Sequence, residues 1–506
     1  MNPLISCHRP YGCFAAAALL CALSAWLPGC SKQEAPADAR AAEVDRQVRE
    51  KWGKGLEELP AVKLEIISPN NENIINEFSA AFSLHHAVQF GQRVELIQSQ
   101  VGGGGSTIEK YLQNVYSRAP SCGIDVLWGG GDIMHTSLAK AGLLQPLTLQ
   151  ADVLENVPAQ FGGLPMYEVA ATGATTPAGP ADKAAPDDGA RRFNWVGSAI
   201  SGFGFLYNSG VLARCGIAPP AQWDDLGDRR FADLLALADP GQSAAAAAAY
   251  RMIVVSESTW PAGWAKLLRI LANAKRFADS AGGAANSPVL GESPVAACID
   301  FYGVVRVAEA PDQLAYISPP GQTTFSADPI SILKNPPHPE LAQRFVDFVL
   351  SARGQALWAL RAGEEDGPVR FVLGRQPIRR DVYEIYAGKL APRIINPYQS
   401  GQAMLVTPAM QKVHFGVLRQ LIGSAVLDNI DRLRAARRRL NQLQADPAAA
   451  EEYARRLDLF NRLPENVESL DKMNAVAARL KDPAAALTLT NGWRDFFSHQ
   501  FQEVAR

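Results

Sequence analysis

Four consecutive glycines at residues 102–105, followed by Ser106 and Thr107, form the segment of this chain best suited to hold a small anion. The segment lies between a predicted strand at residues 93–97 and a predicted amphipathic helix. Without a Cβ, glycine lets backbone N–H groups approach a ligand, and a helix N-terminus after a strand attracts negative charge. Neither a Walker A loop nor a dinucleotide fingerprint fits the spacing. The alternative is an ordinary turn in which Ser106 and Glu109 form a capping box.

A second glycine cluster follows another predicted strand, at residues 124–128. Residues 129–131 are all glycine and precede Asp132 and a predicted helix. Because the parallel strands of one sheet end at the same edge, we expect the two glycine turns to meet in one crevice. The ring of Trp128 either forms a wall of this crevice or lies in the core.

Acidic, aromatic and hydroxyl side chains mark further candidate contacts. Residues 298–302 are predicted to form a strand, which would place Asp300 and Tyr302 on one face because side chains alternate along a strand. Such a pair can bind a polar ligand, supply oxygen ligands to a hard cation, or be purely structural. Ser243 precedes an alanine-rich helix that runs to Tyr250, so its hydroxyl is predicted to cap that helix and could also contact an anion.

Sequence signatures of catalysis are missing. The chain has no GxSxG, HExxH or CxxC motif, and its seven histidines are scattered with no recognisable nucleophile beside them. We therefore expect a binding protein rather than an enzyme, and no cofactor. A formal net charge of −2 over 506 residues argues against nucleic-acid binding driven by bulk charge, and this length predicts two or three packed units.

The N-terminus has the pattern of an exported lipoprotein. Arg9 precedes an apolar run at residues 14–27 that is short for a membrane span, and Leu-Pro-Gly at 27–29 leads directly into Cys30. This arrangement resembles the bacterial lipobox, in which the cysteine is acylated after cleavage. We predict a signal peptide at residues 1–29 and a lipid on Cys30, with an ordinary secretory signal as the alternative.

Three cysteines remain beyond this segment, at positions 122, 215 and 298. Their wide spacing fits neither a zinc site nor a disulfide framework. Either one disulfide with a free buried thiol or three buried thiols is expected.

Strands and helices alternate over most of the chain, which predicts an α/β fold with parallel strand pairs. A helix capped within residues 70–73 and a single long helix over residues 341–357 are expected. From about residue 409 only helical patterns occur. The arginines at 434 and 437–439 are expected on a solvated face, with contact to anionic lipid or a partner as the alternative.

A series of short motifs runs along the chain in a characteristic order. They are DVLWGG at 125–130, LAKAGLLQP at 138–146, FLYN at 205–208, PAQWDDL at 220–226, ADP at 238–240, DFY at 300–302, DPI at 328–330, and LAQRFVDF at 341–348 with Ser351, Gly354 and Gln355. In this order the stretch from about residue 60 to 390 resembles extracellular solute-binding proteins of bacterial ABC importers, in the branch that includes ferric-iron binders.

The resemblance implies a type II periplasmic binding fold, in which two α/β lobes close on a ligand about a hinge. Together with the helical pattern of the C-terminal region, it divides the mature chain into four parts. These are a tether at 30–58, a first lobe at 59–200 and 315–405, a second lobe at 201–314, and a C-terminal α-helical extension at 406–506.

In this family the ligand contacts come from loops at the carboxyl ends of strands. Carried onto this chain, they fall on Gly105, Ser106, Gly130, Ser201, Ser243, Asp300 and Tyr302. The resemblance implies capture of a small solute for an inner-membrane ABC permease by a monomer in the periplasm, held to a membrane by its lipid. The glycine turns and helix N-termini favour an anionic solute.

Two alternatives remain open. Ferric binders of this branch use adjacent tyrosines, and this chain has no Tyr-Tyr pair; a metal receptor of the same fold would use Tyr302, Asp300 and His135. The other alternative is an exported sensor or assembly partner that docks to an envelope protein through its helical tail.

Overall fold

The computed structural model describes residues 36–99, 101, 104–171, 191–392, 394–399, 401–407 and 412–506. The predicted signal peptide, Cys30 and the first two glycines of the 102–105 run lie outside these residues. The described residues form two α/β lobes with separate sheets and a C-terminal helical extension, as predicted. No helix in this part of the chain combines the length and apolar character that a membrane span requires.

The strands are short and fall into two main sheets and one hairpin. They are β1 Ala61–Ile67, β2 Arg93–Gln98, β3 Val126–Trp128, β4 Leu144–Gln145, β5 Gln160–Phe161, β6 Leu164–Pro165, β7 Tyr167–Val169, β8 Phe193–Ser201, β9 Phe203–Asn208, β10 Leu235–Ala238, β11 Ala274–Ala278, β12 Val295–Ile299, β13 Leu314–Ile317 and β14 Ser326–Leu333.

Helices cover both lobes and form the extension. They are α1 Pro36–Trp52, α2 Glu72–Phe90, α3 Gly105–Tyr116, α4 Asp132–Lys140, α5 Ala151–Asn156, α6 Ser209–Arg214, α7 Ala244–Val255, α8 Trp260–Ala272, α9 Ala281–Leu290, α10 Asp300–Glu309, α11 Pro339–Leu350, α12 Ala352–Ala359, α13 Val382–Ile385, α14 Phe415–Ile422, α15 Ile430–Ala445, α16 Ala450–Asn461, α17 Leu470–Arg479 and α18 Pro483–Ala505. Single 3₁₀ turns lie at Leu56–Glu58, Trp223–Gly227, Arg229–Phe231, Pro447–Ala449 and Glu465–Val467, and a π turn at Gly423–Leu427.

The sheet of the first lobe has the order β2-β1-β3-β14-β8-β7, with β4 also pairing to β14. β1 runs parallel to β2 and β3, whereas β14 and β8 run antiparallel to each other. The residues of β3 are fully buried because helices cover both faces of this sheet, which explains the continuous apolar sequence of the strand. The parallel strands therefore deliver their carboxyl ends to one edge.

The sheet of the second lobe has the order β11-β10-β12-β9-β13. β10 is parallel to β11 and β12, and β9 is antiparallel to β12 and β13. Because β13 at Leu314–Ile317 belongs to this sheet, the predicted return to the first lobe at residue 315 is too early. The chain crosses between lobes at Gly202 and again between β13 and β14.

The extension packs against the second lobe rather than standing apart from it. Side chains of α14, α15 and α18 share one apolar cluster with those of α7 and α8. Arg437 is 4% exposed, and its guanidinium donates to Asn273 Oδ1 and Gly227 O; Arg434 donates to the carbonyls of Ala274 and Lys275. The expectation that these arginines lie on a solvated face is therefore wrong for 434 and 437, which attach the extension.

Two local expectations were also wrong. The helix predicted over residues 341–357 is broken at Ser351, whose extended backbone (φ −66°, ψ 157°) and side chain cap a new helix by accepting from Gly354 N. Gly354 approaches the preceding helix so closely that a Cβ would lie 2.0 Å from Phe348 O. Cys122, Cys215 and Cys298 are free thiols, and Cys215 is exposed rather than buried.

We expect Arg437→Ala to lower the free energy of unfolding by about 2 kcal/mol, because it leaves the Gly227 carbonyl and the Asn273 amide oxygen buried without this donor. Arg438→Ala, on the exposed side of the same helix, is the matched control and should change little. Urea unfolding followed by circular dichroism measures both. Equal effects of the two substitutions would contradict the docking role of Arg437.

Candidate functional site

The two glycine turns lie against each other at the edge where the strands of the first lobe end. A Cβ on Gly105, the first residue of α3, would lie 3.0 Å from Gly130 O and 3.4 Å from Gly130 Cα. The structure thus brings together the turns that follow β2 and β3. Their N–H groups belong to the first turns of two helices, which is the arrangement that favours an anion.

The second turn requires glycine for its backbone conformation. Gly129, Gly130 and Gly131 have φ of +91°, +96° and +86°, a region that side chains strongly disfavour. The turn is tied to β14, because Gly129 N donates to Pro329 O at 2.7 Å and Gly131 N donates to Asp328 Oδ1 at 3.2 Å. The chain therefore leaves β3 in one defined path toward α4.

Ser106 does not cap α3, so the predicted capping box is wrong. The helix begins two residues earlier than that cap would place it, with Gly104 as its N-cap and no side-chain cap bond. Thr107 N and Ile108 N both donate to Gly104 O, because the extended backbone of Gly104 (φ −90°, ψ −172°) aims its carbonyl along the helix. Ser106 is consequently the second residue of the helix, and its partly buried hydroxyl is not committed to a cap.

Ser243 caps α7, as predicted, by accepting a hydrogen bond from Ala246 N at 3.2 Å. Its hydroxyl hydrogen can still donate to a ligand. The turn before this helix approaches the first lobe: a Cβ on Gly104 would lie 3.9 Å from Gln242 O. The N-termini of α3 and α7, which belong to different lobes, therefore face the same cleft.

Asp300 and Tyr302 do not lie on a strand. β12 ends at Ile299, and both residues belong to the first turn of α10, where positions two apart point in different directions. The predicted shared face is therefore wrong. The ring of Tyr302 packs beside α9, since a Cβ on Gly282 would lie 3.3 Å from Tyr302 Cζ. Alternation alone could not distinguish the last residues of a strand from the first turn of an amphipathic helix.

Asp300 joins the second lobe to the crossing segment. Its Oδ2 accepts from Gly202 N at 2.9 Å, its own N–H donates to Gly202 O at 2.9 Å, and its Oδ1 accepts from Phe301 N. Burial raises the pKa of Asp300 to about 7, while the Gly202 N–H and the charge of Arg375 act in the opposite direction. This carboxyl is thus poised between its neutral and charged forms near neutral pH.

Arg375 is the functional candidate that the sequence did not reveal. It is 3% exposed, and its guanidinium donates to Asp328 Oδ2 at 2.5 Å and to Asn70 Oδ1 at 3.2 Å. The same group lies 4.2 Å from the ring centroid of Phe301, on the second lobe. We call Asn70, Asp300, Asp328 and Arg375 the polar cluster. No motif surrounds Arg375, so only the folded chain identifies it.

Three buried polar atoms around this cluster have no hydrogen-bond partner among the described residues. They are Arg375 Nε, Gln376 Oε1 and Ser201 Oγ. Gln376 lies beside β8 because its carbonyl accepts from Ile200 N at 2.9 Å. Buried polar atoms are normally satisfied, so these atoms indicate where a polar ligand or water would bind. Ser201, predicted from the resemblance, is one of them.

His135 is committed to the structure on both ring nitrogens. One faces Gly129 O at 3.0 Å and the other Ser331 Oγ at 2.9 Å, which fits a tautomer that donates to the carbonyl and accepts from the hydroxyl. Burial lowers its pKa to about 4, so the ring is neutral. The metal-receptor alternative therefore loses its nitrogen ligand. The described residues contain no group of three or more His, Cys, Asp or Glu side chains able to hold a metal.

An apolar cavity of about 70 Å³ lies between the lobes, which we call the interlobe cavity. Its lining residues are Asp132, Ile133, Leu164, Phe203, Ala248, Arg251, Met252, Val255, Thr324, Ser326, Val406 and Phe415. Burial raises the pKa of Asp132 to about 6 and lowers the pKa of Arg251. The positive charge of Arg251 and the negative charge of Asp132 each oppose the effect of burial on the other group. The first lobe, the second lobe and the extension all contribute walls.

Comparison with known proteins finds similarity over part of the chain. Residues 168–370 match the family model described as bacterial extracellular solute-binding protein, which confirms the predicted resemblance over that stretch. The phosphoglycerate transport regulatory protein PgtC of Salmonella typhimurium is 30% identical over 166 residues, which are 32% of this chain and 40% of that protein. The match thus spans well under half of this curated relative.

Solved structures share the fold. The periplasmic binding protein AfuA from Actinobacillus pleuropneumoniae, with exogenous fructose-6-phosphate bound, is 16% identical with a TM-score of 0.51 over 70% of this chain and 93% of that chain. A Bordetella parapertussis protein described as an extracellular solute-binding protein is 13% identical with a TM-score of 0.50 over 72% and 98%. The fold is thus the two-lobed type II periplasmic binding fold, with a helical extension.

We expect Gly130→Ala to destabilise the protein by about 1–2 kcal/mol, because the residue has a φ of +96° and its new Cβ would meet Met134 Cε at 2.4 Å. Gly388→Ala is the control, since a Cβ there meets nothing within 4 Å. Thermal unfolding measures both. An unchanged melting temperature of Gly130→Ala would contradict the conclusion that this turn requires glycine.

The raised pKa of Asp300 also predicts how stability depends on pH. The unfolded chain ionises this carboxyl near pH 4 and the folded chain only near pH 7. The folded state therefore binds the proton more tightly, and this contribution to stability falls as the pH rises from about 4 to about 7, then levels off. The test is the difference between the melting temperatures of the wild type and of Asp300→Asn, measured across this pH range. This difference should become smaller as the pH rises from about 4 to about 7. A difference that does not change with pH would contradict the raised pKa of Asp300.

Proposed function

We propose that this protein is a lipid-anchored periplasmic solute receptor that captures a small anionic solute between its lobes and delivers it to an ABC permease. The contact between the two glycine turns, with the N-terminus of α7 opposite, carries the proposal. Backbone N–H groups of three helix N-termini converge on one cleft, and their dipoles favour negative charge. The family match of residues 168–370 supports the receptor class.

The polar cluster is proposed to couple ligand binding to lobe closure. Arg375 belongs to the first lobe and stacks on Phe301 of the second, while Asp300 holds the crossing residue Gly202. In the closed arrangement Ser201 Oγ and Arg375 Nε are buried, and a ligand that hydrogen-bonds to either atom would supply its missing partner. The ligand would therefore favour the closed arrangement. Closure then removes water from the solute without making or breaking a covalent bond.

The solute is proposed to carry a phosphate or carboxylate group. The name of the Salmonella relative refers to phosphoglycerate, an acid of this kind. Ser106 and Ser243 supply hydroxyls beside the helix N-termini, and Gly105 and Gly130 let the two turns approach each other at the same edge. Lipidation at Cys30 would keep the receptor beside its permease as a monomer. The predicted tether at 30–58 is not a free linker over its described part, because α1 packs on α2 through Val44 and Val48.

A second candidate function is that of an exported sensor. The relative is named a regulatory protein of transport, which favours a partner that reads the bound state. The extension would offer a surface that moves with the second lobe, because the two share a core. In a strain lacking the protein, a receptor predicts loss of solute uptake even when the permease is expressed from an independent promoter. A sensor predicts that uptake is restored by that expression.

Ser106→Pro tests the anion site directly. Proline is tolerated in the first turn of a helix but removes one N–H that no intrahelical partner uses. In a thermal-shift screen with phosphorylated and carboxylated solutes, the solute that stabilises the wild type should bind this variant about tenfold more weakly. Asp471→Pro, at the second position of α17, is the matched control. Unchanged affinity of Ser106→Pro would reject this anion site.

A further inference from the structure

The interlobe cavity is closed on one side by residues that belong to neither lobe. Val406 and Phe415, at the start of the extension, line it together with Ile133 of the first lobe and Ala248 of the second. We infer that the extension forms a third wall of the ligand compartment, and that the ligand therefore carries a compact apolar body of about three carbons beside its anionic group. This inference rests on the proposed function and specifies its ligand.

The wall is fixed by hydrogen bonds to both lobes. Met404 N donates to Thr323 O at 2.8 Å in the crossing segment, and Val406 N donates to Gly162 O at 2.8 Å in the first lobe. On the other side, Arg251 Nε of α7 donates to Val413 O at 3.1 Å. The described residues on both sides of positions 408–411 are therefore attached around the cavity, Met404 and Val406 on one side and Val413 on the other.

The chemistry of the lining selects the body of the ligand. Eight of the twelve lining residues are apolar, and the charged pair is Asp132 from the first lobe and Arg251 from the second. A ligand hydroxyl placed against Ile133, Met252 or Phe415 would lose its hydrogen bonds to water without replacement, which costs on the order of 10–100-fold in affinity. A hydrocarbon body gains from the same surfaces.

The volume of the cavity sets the size of that body. At about 70 Å³ it is roughly half of the ~150 Å³ cavity that accepts benzene, so it suits about three carbons. Arg251 supplies the positive charge on the second lobe, and the glycine turns lie beside Asp132 at the start of α4. The anionic group of the ligand can therefore point to the helix N-termini while its body enters the cavity.

The test compares two anions of similar length, n-propylphosphonate and glycerol 3-phosphate, by isothermal titration calorimetry on the full mature chain at about pH 9, where both compounds are mainly dianions. The first has an apolar three-carbon body and the second a hydroxylated one. We expect n-propylphosphonate to bind the wild type at least tenfold more tightly. Tighter binding of glycerol 3-phosphate would overturn the inference while leaving an anion receptor in place. Failure of both compounds and of every anion in the wider screen would overturn the proposed function as well.

Substitutions in the walls of the cavity test whether it holds the ligand or is only a gap in packing. Ala248→Leu fills the cavity and should lower affinity for n-propylphosphonate at least tenfold without lowering the melting temperature. Ala308→Leu, an exposed position on α10, is the control. Since the larger side chain could disturb packing, Phe415→Ala provides a second measurement, with an expected three- to tenfold loss from the extension side. Full affinity in either folded variant would show that the cavity does not hold the ligand.

Discussion

A guanidinium removed from water must be surrounded by acceptors, and Arg375 obtains its surroundings from three distant parts of the chain. Asp328 comes from β14, Asn70 follows β1, and the face of Phe301 comes from the second lobe. Breaking one partner of a buried ion pair costs several kcal/mol because the other charge is left uncompensated. Arg375 therefore helps to hold the lobes in their arrangement around the cleft, and its Nε, which has no partner among the described residues, can still donate to a ligand.

The extension changes what a hinge can do in this molecule. The ring centroids of Trp264, in the second lobe, and Phe497 of α18 are 5.7 Å apart, and Trp260 Nε1 donates to Val467 O at 2.7 Å. Removing the extension would uncover this core, so it moves with the second lobe as one body. Val406, at the start of the extension, is also hydrogen-bonded through its N–H to Gly162 O of the first lobe. The extension thus adds a contact to the first lobe that a bare two-lobed receptor lacks.

Local sequence predicted much of the framework and little of the polar cluster. The glycine turns, the cap at Ser243 and a cap within residues 70–73, which is Asn71, follow from nearest neighbours along the chain. The break at Ser351 and the helical placement of Asp300 were missed because a period-two or period-3.6 pattern does not mark where an element ends. Arg375 and Arg437 were missed for a different reason. Their partners lie far away in sequence, so no spacing rule could join them.

The charges in the cleft are nearly balanced before any ligand enters. Arg375 is matched by Asp328, and Arg251 faces Asp132 across the interlobe cavity. The proposed anionic solute would therefore be attracted mainly by the fixed dipoles of helix N-termini, which need no reorganisation and bring no counter-charge of their own. A strongly charged cleft would hold its solute through a full ion pair and release it slowly. In the proposed receptor, a balanced cleft with oriented backbone groups would give selectivity for anions at an affinity that still permits release when the lobes reopen.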